Sequence, residues 1–540
     1  MTARASADQV DVLIVGGGLG GVAAAMALCD HGHRVLMVDE YPWIGGQLTA
    51  QAVPPDEHKW IETTSPTRSY QRLRERIREH YRRNYPLTAV ARDDSLLNPG
   101  RGTVSRLCHE PRVAVGAIYE LLAPFLAAGN LEVWTQTRVV EVETANDTIN
   151  AVRLATPLGE RHVQARICVD ATERGDIIAL AGAEHVVGAE AQVDTGEPHA
   201  PAVADPFDQQ SMTWCFALEW GSDDHHVIDR PHDYERWRSL DAPYTDALQF
   251  SWSGVDPTTL QHRLMGLFEG DLDGYRVPDM WHYRRVLARS TFEIGAVREV
   301  SMVNWHQTDY WLRPTVTPDL HDDRAQFERA AEEAKQLSRS FLYWLQTEAP
   351  NQGGGVGYPT LRLRPDITGT SDGFAMAPYI RESRRIVGLG RVSELDIGVD
   401  ARGHRRPEAV PDTVGIGHYR IDLHPSASGR NFVDVDCFPF QIPARAMLPV
   451  RMRNLLPANK NIGTTHITNG AFRLHPVEWS IGEAVGVMAA ACLRNATPVQ
   501  ALAHPQAVET IQGELANRGT SLSWPDWIVD DYPRSRTLFV

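Results

Sequence analysis

Cysteine, lysine and long apolar runs are what this sequence has least of. Its six cysteines, at 29, 108, 168, 215, 437 and 492, are scattered over 540 residues without a C-x-x-C pair or a metal-ligand spacing. That rules out a paired redox dithiol and a cysteine-held metal, and reads as isolated buried thiols in a reducing compartment. Lysine occurs only at 59, 335 and 460, against fifty arginines, an imbalance that reads as codon bias rather than mechanism. No apolar run approaches the ~18 residues of a membrane span, and the first residues, Met-Thr-Ala-Arg-Ala-Ser, lack the apolar core of a signal peptide. A net charge of −16 disfavours loose attraction to nucleic acid or to anionic membrane. The expectation is a cytoplasmic protein with neither as a partner, and too long for one core.

What is present is concentrated near the start. Asp11-Val-Leu-Ile-Val15 is an apolar run of the kind a buried parallel strand carries. Gly16, Gly18 and Gly21 follow in G-x-G-x-x-G spacing, and Val22 to Leu28, rich in alanine, reads as a helix ended by His31-Gly32. Arg34 to Glu40 reads as a second strand finishing in acid. The first glycine allows the tight turn, the second a close backbone approach to a pyrophosphate, and the third close packing of helix on strand. The helix N-terminus presents free N–H groups to the phosphates, and an acid about 20 residues on accepts ribose hydroxyls. The chain is thus expected to bind a dinucleotide. Period-two alternation sends Asp39 and Glu40 to opposite faces, so one of them binds ribose, and Asp39 is preferred.

A second glycine pair, Gly45-Gly46, lies in Trp43-Ile-Gly-Gly-Gln-Leu-Thr49. Four further segments join it: Cys168-Val-Asp-Ala-Thr-Glu-Arg-Gly-Asp176, Arg381-Glu-Ser-Arg-Arg-Ile-Val-Gly388, Gly415-Ile-Gly-His-Tyr-Arg-Ile-Asp422, and Asn459-Lys-Asn-Ile-Gly-Thr-Thr-His466 continued through Arg473-Leu-His-Pro476 and Ile481-Gly-Glu-Ala-Val-Gly486. With these residues the chain resembles the FAD-dependent oxidoreductases of the glutathione-reductase-like flavoprotein superfamily. The resemblance implies FAD as cofactor, Gly45, Gly46 and Gln47 against its far half, backbone of Val139 at the adenine, and Asp170, Asn461 and Ile462 at the returning turns. It also implies a C-terminal helix aimed at the flavin pyrimidine, where a half-positive helix end stabilises reduced flavin. Two departures stand out. Asp39 replaces the family's usual Glu, and Glu173 replaces the glycine of its D-A-T-G segment, which puts that turn's conformation in doubt.

The resulting fold class is α/β: a Rossmann-type FAD-binding domain built from discontinuous segments (1–60, 105–190 and 440–500), with an α+β substrate domain (190–440) containing an antiparallel sheet. Residues 60–105 form a helical and loop insertion, and 500–540 an apolar tail that docks on the body or on a second copy in a homodimer. Arg112 to Ala128 reads as a helix, and Leu131–Trp134 and Arg138–Val142 as alternating strands. Ile149–Ala155 and Arg161–Val169 complete a small antiparallel excursion. An amphipathic helix is expected over about 322–347. Val477 to Cys492 reads as a helix with Gly482 and Gly486 on one face, packed on the Gly21–Leu28 helix.

Candidate chemistry gathers before that last helix. His466 is a candidate base, since oxidising an alcohol or amine requires a proton acceptor while flavin takes hydride; a structural histidine is the other reading. His475 either shares that task or ends the loop. Lys460 sits near the flavin edge or in solvent. Arg381 and Arg384, on an extended segment, either clamp a substrate carboxylate or belong to an ion-pair network with Glu382. His418, Arg420 and Asp422 alternate and so share one strand face. The seven arginines of Arg68 to Arg83 read as a solvated helix face with i,i+4 pairs, RNA contact being the alternative. Gly353–Gly357 leads into Tyr-Pro rather than a helix, so no second dinucleotide motif is present. The reaction expected first is oxidation of a small organic molecule by hydride transfer to flavin, as a dehydrogenase or oxidase with O2 or another acceptor. A monooxygenase using NAD(P)H and O2 is the alternative, and a non-catalytic or RNA-directed flavoprotein ranks last. The tryptophans line a planar substrate wall or fill a large core.

Overall fold

The computed structural model describes residues 8–221, 223–268, 271–272, 275–276, 279–351 and 353–532; the Leu538–Val540 end of the tail lies outside them. Its largest sheet has seven strands: β1 (Asp8–Val15), β2 (Val35–Val38), β3 (Leu131–Trp134), β4 (Arg138–Ala145), β5 (Thr148–Thr156), β6 (Gly159–Asp170) and the segment Leu455–Pro457. The spatial order is β3-β2-β1-β6-β5-β4, and Leu455–Pro457 lies along the end of β6. β1, β2, β3 and β6 run parallel, whereas β4, β5 and the start of β6 form antiparallel hairpins. Leu131–Trp134 therefore belongs to the parallel part of the sheet, a correction to its reading beside the antiparallel excursion. The inner halves of β1 and β2 are continuously apolar because both of their faces are covered.

Helix α1 (Leu19–Asp30) is buried from Leu19 to Cys29, which explains why it carries alanine instead of a polar stripe. Helices α2 (Arg68–Asn84), α3 (Pro111–Ala128), α4 (Asp323–Thr347), α5 (His466–Phe472), α6 (His475–Asn495) and α7 (Pro505–Arg518) follow. In α2 Arg68, Arg72, Arg76 and Arg83 are exposed, as expected of a solvated face, but Arg74 and Arg78 are buried. Arg74 pairs with Glu57 and Glu62, and Arg78 with Glu62, so the acids come from the preceding loop; the one pair within the helix is i,i+3, Arg82 with Glu79. The i,i+4 pattern is corrected accordingly. Helix α3 is long and apolar enough to cross a membrane, with a mean hydropathy of 1.3. Here it packs on α2 and β3 with Val113, Ala117, Ile118 and Leu121 inward.

Past β6, a second sheet of four antiparallel strands runs Arg285–Leu287, Glu299–Val303, Phe216–Trp220, Arg362–Leu363. Trp237, Trp281, Trp305 and Trp344 are buried in the core beside it, together with Phe341 of α4. Those tryptophans are core side chains, not a substrate wall. All six cysteines are buried and free, and burial raises the thiols of Cys108, Cys168 and Cys215 to about 12, which makes them inert. The tail docks on the body of its own chain: Trp524 packs against His58 and Trp60, and Tyr532 against His418.

Candidate active site

The glycine turn closes as its spacing demands. Gly16 has φ +103°, open to glycine, and a side chain there would strike the Ala171 carbonyl. A side chain on Gly21 would strike the Gly16 carbonyl. Gly46 turns back over Gly18: its missing Cβ would lie 3.0 Å from the Gly18 Cα, and Gly45 donates to the Gly17 carbonyl at 2.7 Å. Gly18 is the N-cap of α1 and offers no side-chain cap, so the helix opens onto bare backbone. This is a cradle that any Cβ would fill, at a helix end that favours anions. It lies in a cleft whose lining includes Gly16, Gly18, Asp39, Glu40, Gly46 and Val139.

Asp39 sits at the cleft floor with both carboxylate oxygens bonded, one to Gly17 N–H at 2.7 Å and the other to Tyr41 N–H at 2.8 Å. Burial raises it to about 7, against those two hydrogen bonds. Glu40 pairs with Arg324. Strand β2 ends at Val38, so alternation no longer governs 39 and 40, and both reach the cleft rather than opposite faces. Asp170 does not line it. Its carboxylate accepts from Thr172 N–H and Oγ1 and from Ile178 N–H, which shapes the turn that does, and burial raises it to about 6. Asn461 ties that turn to the C-terminal segment through the Asp170 carbonyl at 2.9 Å, and Ile462 is wholly in the core. Gln47 donates to Glu478 at 2.7 Å and to the Arg473 carbonyl at 2.9 Å. The residues present fit a dinucleotide laid from Val139 across Gly18 and Gly46 toward Gln47.

Beyond Gln47 lies a buried polar relay. Arg473 donates to Tyr379 Oη at 2.6 Å and to Asp422 at 3.0 Å. His424 Nε2 stands 3.7 Å from Asp422, and its Nδ1 is 2.6 Å from Asp309. Asp309 in turn faces Arg381 at 3.1 Å. Burial pushes the Asp309 carboxyl up, but Arg381 and His424 outweigh it and hold the group well below the usual range. Asp422 is lowered in the same way by His424 and Arg473. Asp309 is fully buried while Asp422 and His424 keep 21% and 14% of their side-chain surface accessible. The rings of His306 and Phe432 lie 5.7 and 5.6 Å from His424, and on their far side they line, with Tyr244 and Met265, a small space of ≈ 20 Å³.

The other anticipated residues lie elsewhere. His466 is buried, with Nδ1 2.8 Å from Glu382 and Nε2 against the Arg430 guanidinium, so neither ring nitrogen is free. His475 Nδ1 accepts from Asp56 N–H at 3.0 Å, and burial lowers it to about 4, leaving it neutral. Arg384 pairs with Asp323 of α4 at 2.8 Å, and Arg385 with Glu382 at 2.6 Å. Arg381 is likewise an internal partner, of Asp309 and of Thr213 Oγ1. Lys460 is fully buried between Glu173 and Glu478, not in solvent; the two acids outweigh burial and keep it charged, while burial raises Glu478 to about 7. His418, Arg420 and Asp422 share no strand face, because the strands end at Gly417 and resume at Ile421. His418 packs on Trp60, Arg420 pairs with Asp434 and Asp436, and Asp422 meets Arg473. His424 and Asp309 were not anticipated. His424 lies two residues past the Gly415–Asp422 segment, whereas nothing near Asp309 in sequence marks it.

A Rossmann-type sheet, a glycine cradle and a returning C-terminal segment define a dinucleotide-dependent flavoprotein. The sequence pattern of the FAD dependent oxidoreductase family matches residues 11–515, and the chain belongs to that family. It is an enzyme with FAD as its cofactor. An FAD-dependent monooxygenase, ntnJ, from a Nectria species is 38% identical over 65 residues, which cover 12% of this chain and 16% of that protein. Two solved structures are fainter likenesses. p-Nitrophenol 4-monooxygenase PnpA from Pseudomonas putida has a TM-score of 0.35 at 11% identity, over 98% of this chain and 92% of the other. A geranylgeranyl bacteriochlorophyll reductase-like protein from Thermoplasma acidophilum has a TM-score of 0.32 at 10% identity, over 95% and 85%.

Proposed function

We propose that this enzyme is an FAD-dependent monooxygenase of a small, ring-bearing organic molecule, in which His424 accepts a proton from the substrate. The observation that carries the reading is the His424–Asp309 pair at 2.6 Å, linked to the cofactor cleft through Asp422, Arg473 and Gln47. Asp309 holds the Nδ1 proton and fixes the tautomer, so Nε2 is the atom that receives a substrate hydroxyl proton. Arg473 and Tyr379 orient the substrate's oxygen, and Arg381 keeps Asp309 ionised. The rings of Phe432 and His306 beside His424, with Tyr244 behind them, suit a flat molecule. Bound FAD supplies the electron transfer and the dioxygen chemistry. The short match to the Nectria monooxygenase supports oxygen insertion over simple dehydrogenation.

The test is anaerobic absorbance of the holoenzyme at the flavin band, with NADH or NADPH. Bleaching by either is the expected result. A protein that stays yellow with both but is bleached by dithionite overturns the monooxygenase reading. It then leaves hydride transfer directly from substrate to flavin, with His424 taking the hydroxyl proton.

A further inference from the structure

Gly18 and Gly46 place bare backbone on both sides of the cradle, and the carboxylate of Glu173 stands against both. Its Oε1 lies 3.1 Å from where a Gly46 Cβ would project and 3.4 Å from where a Gly18 Cβ would project. The carboxylate thus covers the surface that the two missing side chains leave open at the start of α1. Its other oxygen pairs with Lys460, which is fully buried and has a second partner in Glu478 at 3.4 Å. A diphosphate reaching the same backbone brings negative charge to within a few ångströms of this acid, in a site with little water to screen it.

We propose that Glu173 sets the affinity for FAD by competing with the cofactor's diphosphate for the α1 cradle, and that Lys460 is the counter-charge that draws the carboxylate aside. As Oε1 leaves the cradle, Oε2 stays on Lys460, and Glu478 remains the second partner of the buried ammonium. The proposal rests on FAD as cofactor and is independent of the reaction type.

The experiment is a titration of apoprotein with FAD, followed by quenching of flavin fluorescence, for wild type and Glu173→Gln. The variant keeps the side-chain shape and removes the charge. At least tenfold tighter binding is expected. ADP, which carries the same diphosphate, should itself bind the variant apoprotein at least tenfold more tightly than wild type when titrated directly by calorimetry, whereas adenosine should not gain. Equal or weaker FAD binding by the variant overturns the proposal, as does an equal gain for adenosine. Should Glu173→Gln fail to fold, Glu173→Asp withdraws the charge from Gly46 by one methylene, and tighter binding is again the expected result, unchanged binding the contrary one. A wild-type apoprotein that binds no FAD at all would strike at the cofactor assignment itself, and is distinguishable because no variant then binds either.

Discussion

Gly482 of α6 rests directly on the main chain of Gly20 in α1: a Cβ on Gly482 would overlap the Gly20 carbonyl oxygen. One turn on, Gly486 meets Ala24 and Ala27 in the same way. The contact fastens the C-terminal helix to the helix of the glycine turn, and so aligns two segments more than 400 residues apart. Gly482→Val should destabilise the protein by about 3 kcal/mol, the upper range for overpacking against backbone that cannot yield. Urea unfolding of the apoprotein would measure it, and a loss below about 0.5 kcal/mol would mean that the helices separate freely.

Gly18→Val tests the cradle. The added branches would fill the space between Gly18 and Gly46, where Asn459 Nδ2 already stands 3.2 Å from the Cβ position. The variant should fold but purify colourless, with the flavin-band absorbance per protein down at least tenfold. A fully yellow variant would move the diphosphate elsewhere.

His424 and His466 make opposite predictions. His424→Ala should keep its flavin and its stability to within about 1 kcal/mol, yet lose roughly two orders of magnitude in turnover, the scale of a lost proton acceptor. His466→Ala leaves Glu382 and Arg430 without their shared partner and should cost about 1–3 kcal/mol in unfolding experiments while turnover changes little. If the kinetic loss follows His466 instead, the proton acceptor has been placed on the wrong side of Glu382.

Acid should weaken the fold through histidines that are buried neutral. Burial lowers His418 to about 3, beneath the ~6.5 of an unfolded histidine. As pH falls below 6.5 the unfolded chain therefore takes up the proton first, and the stability held above 6.5 drains away toward pH 3. Integrated from pH 6.5 to 5.5 this amounts to about 1 kcal/mol for one such residue. His418→Phe, which keeps a ring among Trp60, Trp524 and Tyr532, should lose that much less over the interval. Identical pH slopes in the two proteins would show that His418 is hydrated.

Local spacing determined the cofactor half of this protein. Strand, glycine turn, helix and acid within residues 8–40 form from neighbours a few positions apart, and glycine's lack of a side chain is itself the requirement that the turn imposes. The Gly482–Gly486 face was legible for the same reason, since its period is the helix's own. The strand face drawn through His418, Arg420 and Asp422 was not, because the chain breaks at Gly417 and tertiary partners, not alternation, send the three side chains to separate neighbours. Tertiary structure alone decided the polar relay. Asp309 and His424 are 115 positions apart, and their pairing, like the capture of Arg381 by Asp309 and of His466 by Glu382, follows from burial: a charge or imidazole removed from water takes whichever partner the fold places beside it.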